Sequence, residues 1–129
     1  KLLITNVKFI MKKDNVILEK SYQFAIEIIE LYKKLRFENK EFVLSNQLLK
    51  SGTSIGANIE EAVGAQSKKD FLAKISILYK EAREIHYWLR LLRDTKFIDP
   101  ITAENLLDKA TELLKIIGSI QKSIKANNL

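Results

Sequence analysis

Four successive runs between Val16 and Lys125 carry apolar residues at three- and four-residue spacing, and the one proline, Pro100, stands at the head of the last run. That spacing puts side chains on one face of an α-helix, and few breakers interrupt it. With four glycines and one proline in 129 residues, long helices and an all-α fold are expected. The first helix is expected over residues 16–37, with Leu18, Tyr22, Ala25, Ile28, Ile29, Tyr32 and Leu35 as its apolar face. The second is expected over 41–65, with Leu44, Leu48, Gly52, Ile55, Ile59 and Ala62 aligned if the helix continues through its glycines. The third is expected over 68–95, with Phe71, Leu72, Ile75, Leu78, Tyr79, Ala82, Ile85, Leu89 and Leu92 on a broad face. Ile77, Trp88 and Leu91 fall on a different side of it. A helix apolar on two sides touches more than one neighbour or another subunit. The fourth is expected over 100–125, with Leu106, Leu107, Ala110, Leu113, Leu114, Ile117, Ile120 and Ile124 as its seam.

Helix starts are marked by Ser67, an N-cap candidate followed by Asp70, and by Asp99 with Pro100 at the first helical position. The connections are short, so consecutive helices are expected to run antiparallel, as an up-and-down four-helix bundle over residues 16–129. Residues 127–129, with Ala126, are expected to fray. Residues 1–15 are expected to form an N-terminal arm outside the bundle. Within it Met11 is the only methionine and reads as a biological start. A short native strand or arm over residues 1–10 is the alternative. No run approaches the ~18 apolar residues of a membrane span, and the N-terminal segment lacks the pattern of a signal peptide. The absence of cysteine rules out disulfides and thiolate zinc sites, and it suits a reducing compartment.

The stretch SGTSIGANIEEA, residues 51–62, places Gly52 and Gly56 four apart. A phosphate loop of the Walker type needs wider glycine spacing and a lysine, and Asn58 stands near where that lysine would be. Two readings are left. The helix ends at Gly52 and restarts with Thr53 or Ser54 as cap, or it runs on, thinned at Gly52, Gly56 and Ala57 so that another helix can lie close. The second is the reading adopted. The close approach is expected either within the bundle or, together with Ile77, Trp88 and Leu91, between subunits.

Catalytic constellations are missing from the sequence. His86 is the only histidine, so a di-iron bundle with a Glu-x-x-His on each of two helices cannot form. Without cysteine there is no Cys–His pair, and no serine stands in a strand-to-helix elbow. Glu60 and Glu61 are adjacent and point about 100° apart. No enzyme activity, metal site, cofactor or small-molecule substrate is expected.

The net charge is +6, and it is unevenly placed. Residues 68–98 hold eight basic and four acidic side chains, and residues 1–15 four basic and one acidic. The other three segments are balanced or slightly acidic. On a helical wheel Lys69, Lys80, Arg83, Tyr87 and Arg90 share an arc of about 80° on the third helix. A basic stripe with an aromatic inside it suits a polyanion, because lysine and arginine neutralise phosphates and tyrosine stacks on an unpaired base. The plainer alternative is a solvated face with Lys80 and Glu84 as an i,i+4 pair.

Gly52-Thr-Ser-Ile-Gly-Ala-Asn-Ile-Glu-Glu-Ala62 resembles the second-helix signature of the small bacterial four helix bundle proteins, which include proteins encoded in intervening sequences of 23S ribosomal RNA genes. Ser67-Lys-Lys-Asp-Phe71, Lys80-Glu-Ala-Arg-Glu84 and Trp88-Leu-Arg-Leu-Leu92 are similar to the third-helix pattern of that family. The likeness covers about residues 13–125. The chain departs from the pattern at Gly52-Thr53, where Ala-Thr is commoner, and at Glu61-Ala62-Val63-Gly64, where the glycine stands earlier. The resemblance implies a cytoplasmic antiparallel bundle. It also implies a homopentameric barrel like the related accessory protein of diversity-generating retroelements, which is basic, binds nucleic acid and partners a reverse transcriptase. Three expectations follow. One is an oligomer that binds RNA or single-stranded DNA through the third helix. Another is a scaffold whose basic face meets an acidic protein or a reverse-transcriptase-like partner. The last is a monomer that covers Ile77, Trp88 and Leu91 within its own chain.

Overall fold

The computed structural model describes residues 16–126, and the expectations for residues 1–15 and 127–129 lie outside them. Four helices follow one another: α1 (Val16–Phe37), α2 (Val43–Val63), α3 (Lys68–Asp94) and α4 (Pro100–Ala126). Among the described residues there is no strand. Each helix packs on the next and α4 returns to α1, most extensively between α2 and α3 and least between α1 and α4. This is the expected all-α four-helix bundle.

The helix ends obey local chemistry. The Ser67 hydroxyl accepts from the Asp70 N–H at 3.1 Å, and Asp99 accepts from the Thr102 N–H at 2.8 Å and from its hydroxyl at 2.7 Å. Both are the expected caps. The second helix is shorter than expected at both ends. Glu41 lies outside it, where its carboxylate accepts from the N–H groups of Leu44 (3.0 Å) and Ser45 (2.6 Å) and satisfies donors the first turn leaves free. At the other end, Gly64 is the C-cap and its N–H reaches the Glu60 carbonyl. Thr95 is the C-cap of α3 rather than its last residue. Lys40 and Lys96, one in each connection at this end of the bundle, take left-handed φ values of 57° and 67°. Such turns reverse the chain in few residues and bring the next helix back antiparallel.

The core is built from one face of each helix. On α2, α3 and α4 the buried residues follow the expected faces, from Leu48 to Ala62, Phe71 to Leu92 and Leu106 to Ile124. On α1 the face differs. The buried residues are Ile17, Ser21, Phe24, Ile28, Leu31 and Leu35, whereas Tyr22 is 69% exposed. The buried stripe is rotated by about one residue from the sequence reading. A serine within it hides the true period, and its hydroxyl is satisfied by the Leu18 carbonyl at 3.2 Å. The looser α1–α4 seam is bridged by charge instead. Lys109 donates to both Glu27 oxygens at 2.7 and 2.6 Å, and Lys20 pairs with Glu112 at 3.0 Å.

Candidate nucleic-acid interface

α2 runs unbroken through Gly52 and Gly56, so the restart at Thr53 or Ser54 does not occur. Both hydroxyls instead turn back to carbonyls of the same helix, Thr53 to Leu49 at 2.8 Å and Ser54 to Ser51 at 3.4 Å. The two glycines do different things. A Cβ on Gly52 would stand 2.7 Å from Ile28 Cγ2 on α1 and 2.8 Å from Ile85 Cδ1 on α3. Gly52 is therefore the point where both neighbours close on α2. A Cβ on Gly56 would meet Ser21 of α1 at 3.6 Å from its hydroxyl and 3.7 Å from its carbonyl oxygen, ordinary contact distances. Sequence reading missed Ser21, the small residue on α1 that faces Gly56. Ala57 points outward and is exposed, so it takes no part in packing within the chain.

The outer face of α3 carries the basic stripe. Lys69, Lys80, Arg83, Tyr87 and Arg90 are all exposed. At 1.5 Å per residue Lys69 stands about 16 Å along the axis from Lys80, whereas Lys80, Arg83, Tyr87 and Arg90 fall within about 15 Å. The cluster is thus the last four, with Lys69 as an outlier. Among the described residues none of its cations is in an ion pair, and Lys80 is not joined to Glu84. Nearby cations differ. Lys74 pairs with Glu61 at 2.8 Å and Arg93 with Asp94 at 2.8 Å. Arg90 still acts electrostatically on Asp94, whereas Lys80 and Arg83 are left to solvent and to whatever docks on this face.

Tyr87 is 48% exposed at the centre of the cluster. The Arg90 guanidinium lies over its ring, 5.7 Å from the centroid, and donates to the His86 carbonyl at 3.4 Å. The Trp88 indole meets the Tyr87 ring edge-on with centroids 5.1 Å apart. Trp88 is half-buried and packs against the core, and its indole N–H is enclosed without a hydrogen-bond partner. Arg83, Glu84, His86, Tyr87, Trp88 and Arg90 of α3 line an open groove with Leu114 of α4. His86 is held below the ordinary histidine range, first by burial and then by the positive charges of Arg90, Arg83 and Arg93. Two arginines, the Glu84 carboxylate and the His86 imidazole thus share the groove.

The residues expected to make contacts beyond the bundle do not share one condition. Ile77 is 42% exposed, whereas Leu91 and Trp88 are both half-buried, Trp88 against the core. Among the described residues no group of three or more His, Asp or Glu side chains is placed to hold a metal ion, and no helix is long and apolar enough to cross a membrane.

A family model described as 23S rRNA-intervening sequence protein matches residues 13–119. Among solved structures, the chain is similar to a protein of unknown function from the S23 ribosomal protein family of Bacteroides thetaiotaomicron. The identity is 52% and the TM-score 0.83, covering 85% of this chain and 98% of that one. No curated protein matches the chain.

Proposed function

The chain belongs to the 23S rRNA-intervening sequence protein family, and from that premise we propose that it is a non-enzymatic, oligomeric bundle that binds nucleic acid, RNA or single-stranded DNA, on the outer face of α3. One observation carries the reading. Lys80, Arg83 and Arg90 are exposed, outside any ion pair among the described residues and gathered around an exposed tyrosine. Cations in that state can exchange condensed counterions for direct phosphate contacts, the main source of affinity in nucleic-acid binding. The residues that thin α2 serve the bundle rather than a ligand. A cytoplasmic place goes with the reading, on the family resemblance and on a chain without cysteine.

The test is charge reversal. Lys80→Glu, Arg83→Glu and Arg90→Glu are combined, and binding to labelled RNA and single-stranded DNA is followed by anisotropy across a salt series. On a single strand each neutralised phosphate adds about 0.7 to the salt slope, so the triple variant should flatten it by about 2 and weaken binding at every salt concentration. If the unaltered protein shows no salt-sensitive binding near physiological salt, the reading fails.

A second reading is a scaffold or accessory subunit whose basic face meets an acidic protein or a reverse-transcriptase-like enzyme. The exposed Ile77 on α3 favours it, since an apolar side chain beside cations suits a protein surface better than a phosphate backbone. Retention of a protein partner after nuclease treatment would support it. Nucleic acid retained on the purified protein would support the first reading.

A further inference from the structure

We propose that Tyr87 is a stacking platform for an unpaired base, so that the ligand of the α3 face is a single strand and not a duplex. This rests on the basic-face reading above and adds to it the class of nucleic acid.

An exposed tyrosine on a helix is ordinarily free to change rotamer, and holding it still costs entropy on binding. Tyr87 is already held. The Trp88 indole, itself packed on the core, meets it in a T-shaped contact with centroids 5.1 Å apart, and the Arg90 guanidinium lies over the ring. The ring is nevertheless 48% exposed, which leaves aromatic surface for a partner. A flat, preset aromatic surface is what a base needs for stacking, and every base has a face to offer it. Duplex bases have given both faces to their neighbours in the stack, so a duplex could use only the cations.

The flanking charges agree with this. Arg83 lies four residues before Tyr87 and Arg90 three residues after it, on the same side of the helix. Their Cα positions are separated by about 10 Å along the axis. A nucleotide whose base lies on Tyr87 therefore has one arginine to either side for its two phosphates. Arg90 serves twice, since its guanidinium over the ring also holds Tyr87 in place. Leu114 closes one side of the groove with an apolar surface.

The chain carries its own reporter. Trp88 is the only tryptophan and touches Tyr87. Its fluorescence is titrated with a thymine oligonucleotide, which has no structure of its own, and with a duplex of the same length at the same salt. The single strand should change Trp88 emission and bind more tightly than the duplex. Tyr87→Ala and Tyr87→Leu should weaken single-strand binding by about 5- to 150-fold, the loss expected for one stacked base, and leave duplex binding unchanged. Tyr87→Phe keeps the ring and should keep the affinity. Because Tyr87 is exposed, these variants should melt like the parent protein, which thermal denaturation checks. The proposal is overturned if Tyr87→Ala binds the single strand as tightly as the parent, or if duplex and single strand bind equally. In either case, continued loss of binding in the charge-reversal variant leaves the basic-face reading standing. If neither ligand binds the unaltered protein, both fall.

Discussion

Gly52 and Gly56 look alike in sequence, and the structure predicts that alanine will separate them. At either position alanine is a better helix former than glycine by about 1 kcal/mol, so this gain cancels when the two variants are compared. What differs is the space. The new Cβ at position 52 would sit 2.7 Å from Ile28 Cγ2 and 3.0 Å from Ile28 Cβ, and 2.8 Å from Ile85 Cδ1. Ile85 can withdraw the end of its side chain. Ile28 cannot, because the atoms in the way are its branch point and the methyl attached to it. The helices must part or Ile28 must leave its rotamer, and overpacking of this kind costs about 1–3 kcal/mol. At position 56 the nearest atoms are at 3.6 Å or beyond, so alanine fits and its helix preference is realised. Gly52→Ala should therefore be less stable than Gly56→Ala by about 1–3 kcal/mol. In a domain of this size each kcal/mol is worth roughly 3–6 °C in Tm. Circular-dichroism melts of the three proteins should place Gly56→Ala above the parent and Gly52→Ala at or below it. If Gly52→Ala melts at or above Gly56→Ala, the close approach of α1 and α3 at this point is wrong. Gly56→Leu extends the test. Atoms beyond Cβ would run into the Ser21 backbone and force α1 away, so stability or assembly should suffer.

Acid should destabilise the protein in two separate windows. His86 is depressed in the fold, so its contribution is present above the ordinary histidine pKa and is lost as pH falls through the lower folded value. His86→Gln should remove that step from a plot of Tm against pH. Asp99 is also depressed, first by the Thr102 backbone hydrogen bond and then by the Thr102 hydroxyl, so its contribution is lost at lower pH, below the ordinary carboxylate range. Asp94, depressed first by its hydrogen bond from Arg93, titrates in the same window, so Asp99→Asn should shrink the lower step and leave the upper one. For assembly, light scattering should give a mass about five times 14.9 kDa, and a mass near one chain would refute the oligomer.

Much of the bundle was legible because helix signals are local. Ser67 and Asp99 cap helices through atoms three residues away, and Pro100 acts at its own position. The angular order of Lys80, Arg83, Tyr87 and Arg90 follows from helix geometry alone, so their shared exposed face could be read without the fold. The α1 face was misread for a related reason. Hydropathy assigns a serine to the surface, and Ser21 is buried only because Gly56 on another helix gives it room. The same holds for Ala57, small enough for a helix contact but facing outward.

The sequence by itself therefore determined four helices, the Ser67 and Asp99 caps and the basic outer face of the third, since each depends on residues within a turn or two along the chain. Only the tertiary structure decided which glycine admits no side chain, that Lys109 reaches Glu27 across the α1–α4 seam, and that no described carboxylate pairs with Lys80, Arg83 or Arg90. It also set Tyr87 against a Trp88 anchored on the core, with Arg90 over its ring. Most of these are distances between elements far apart in the chain, and periodicity carries no information about distance across a core. Even the contacts within α3 depend on rotamers that the packing of Trp88 selects.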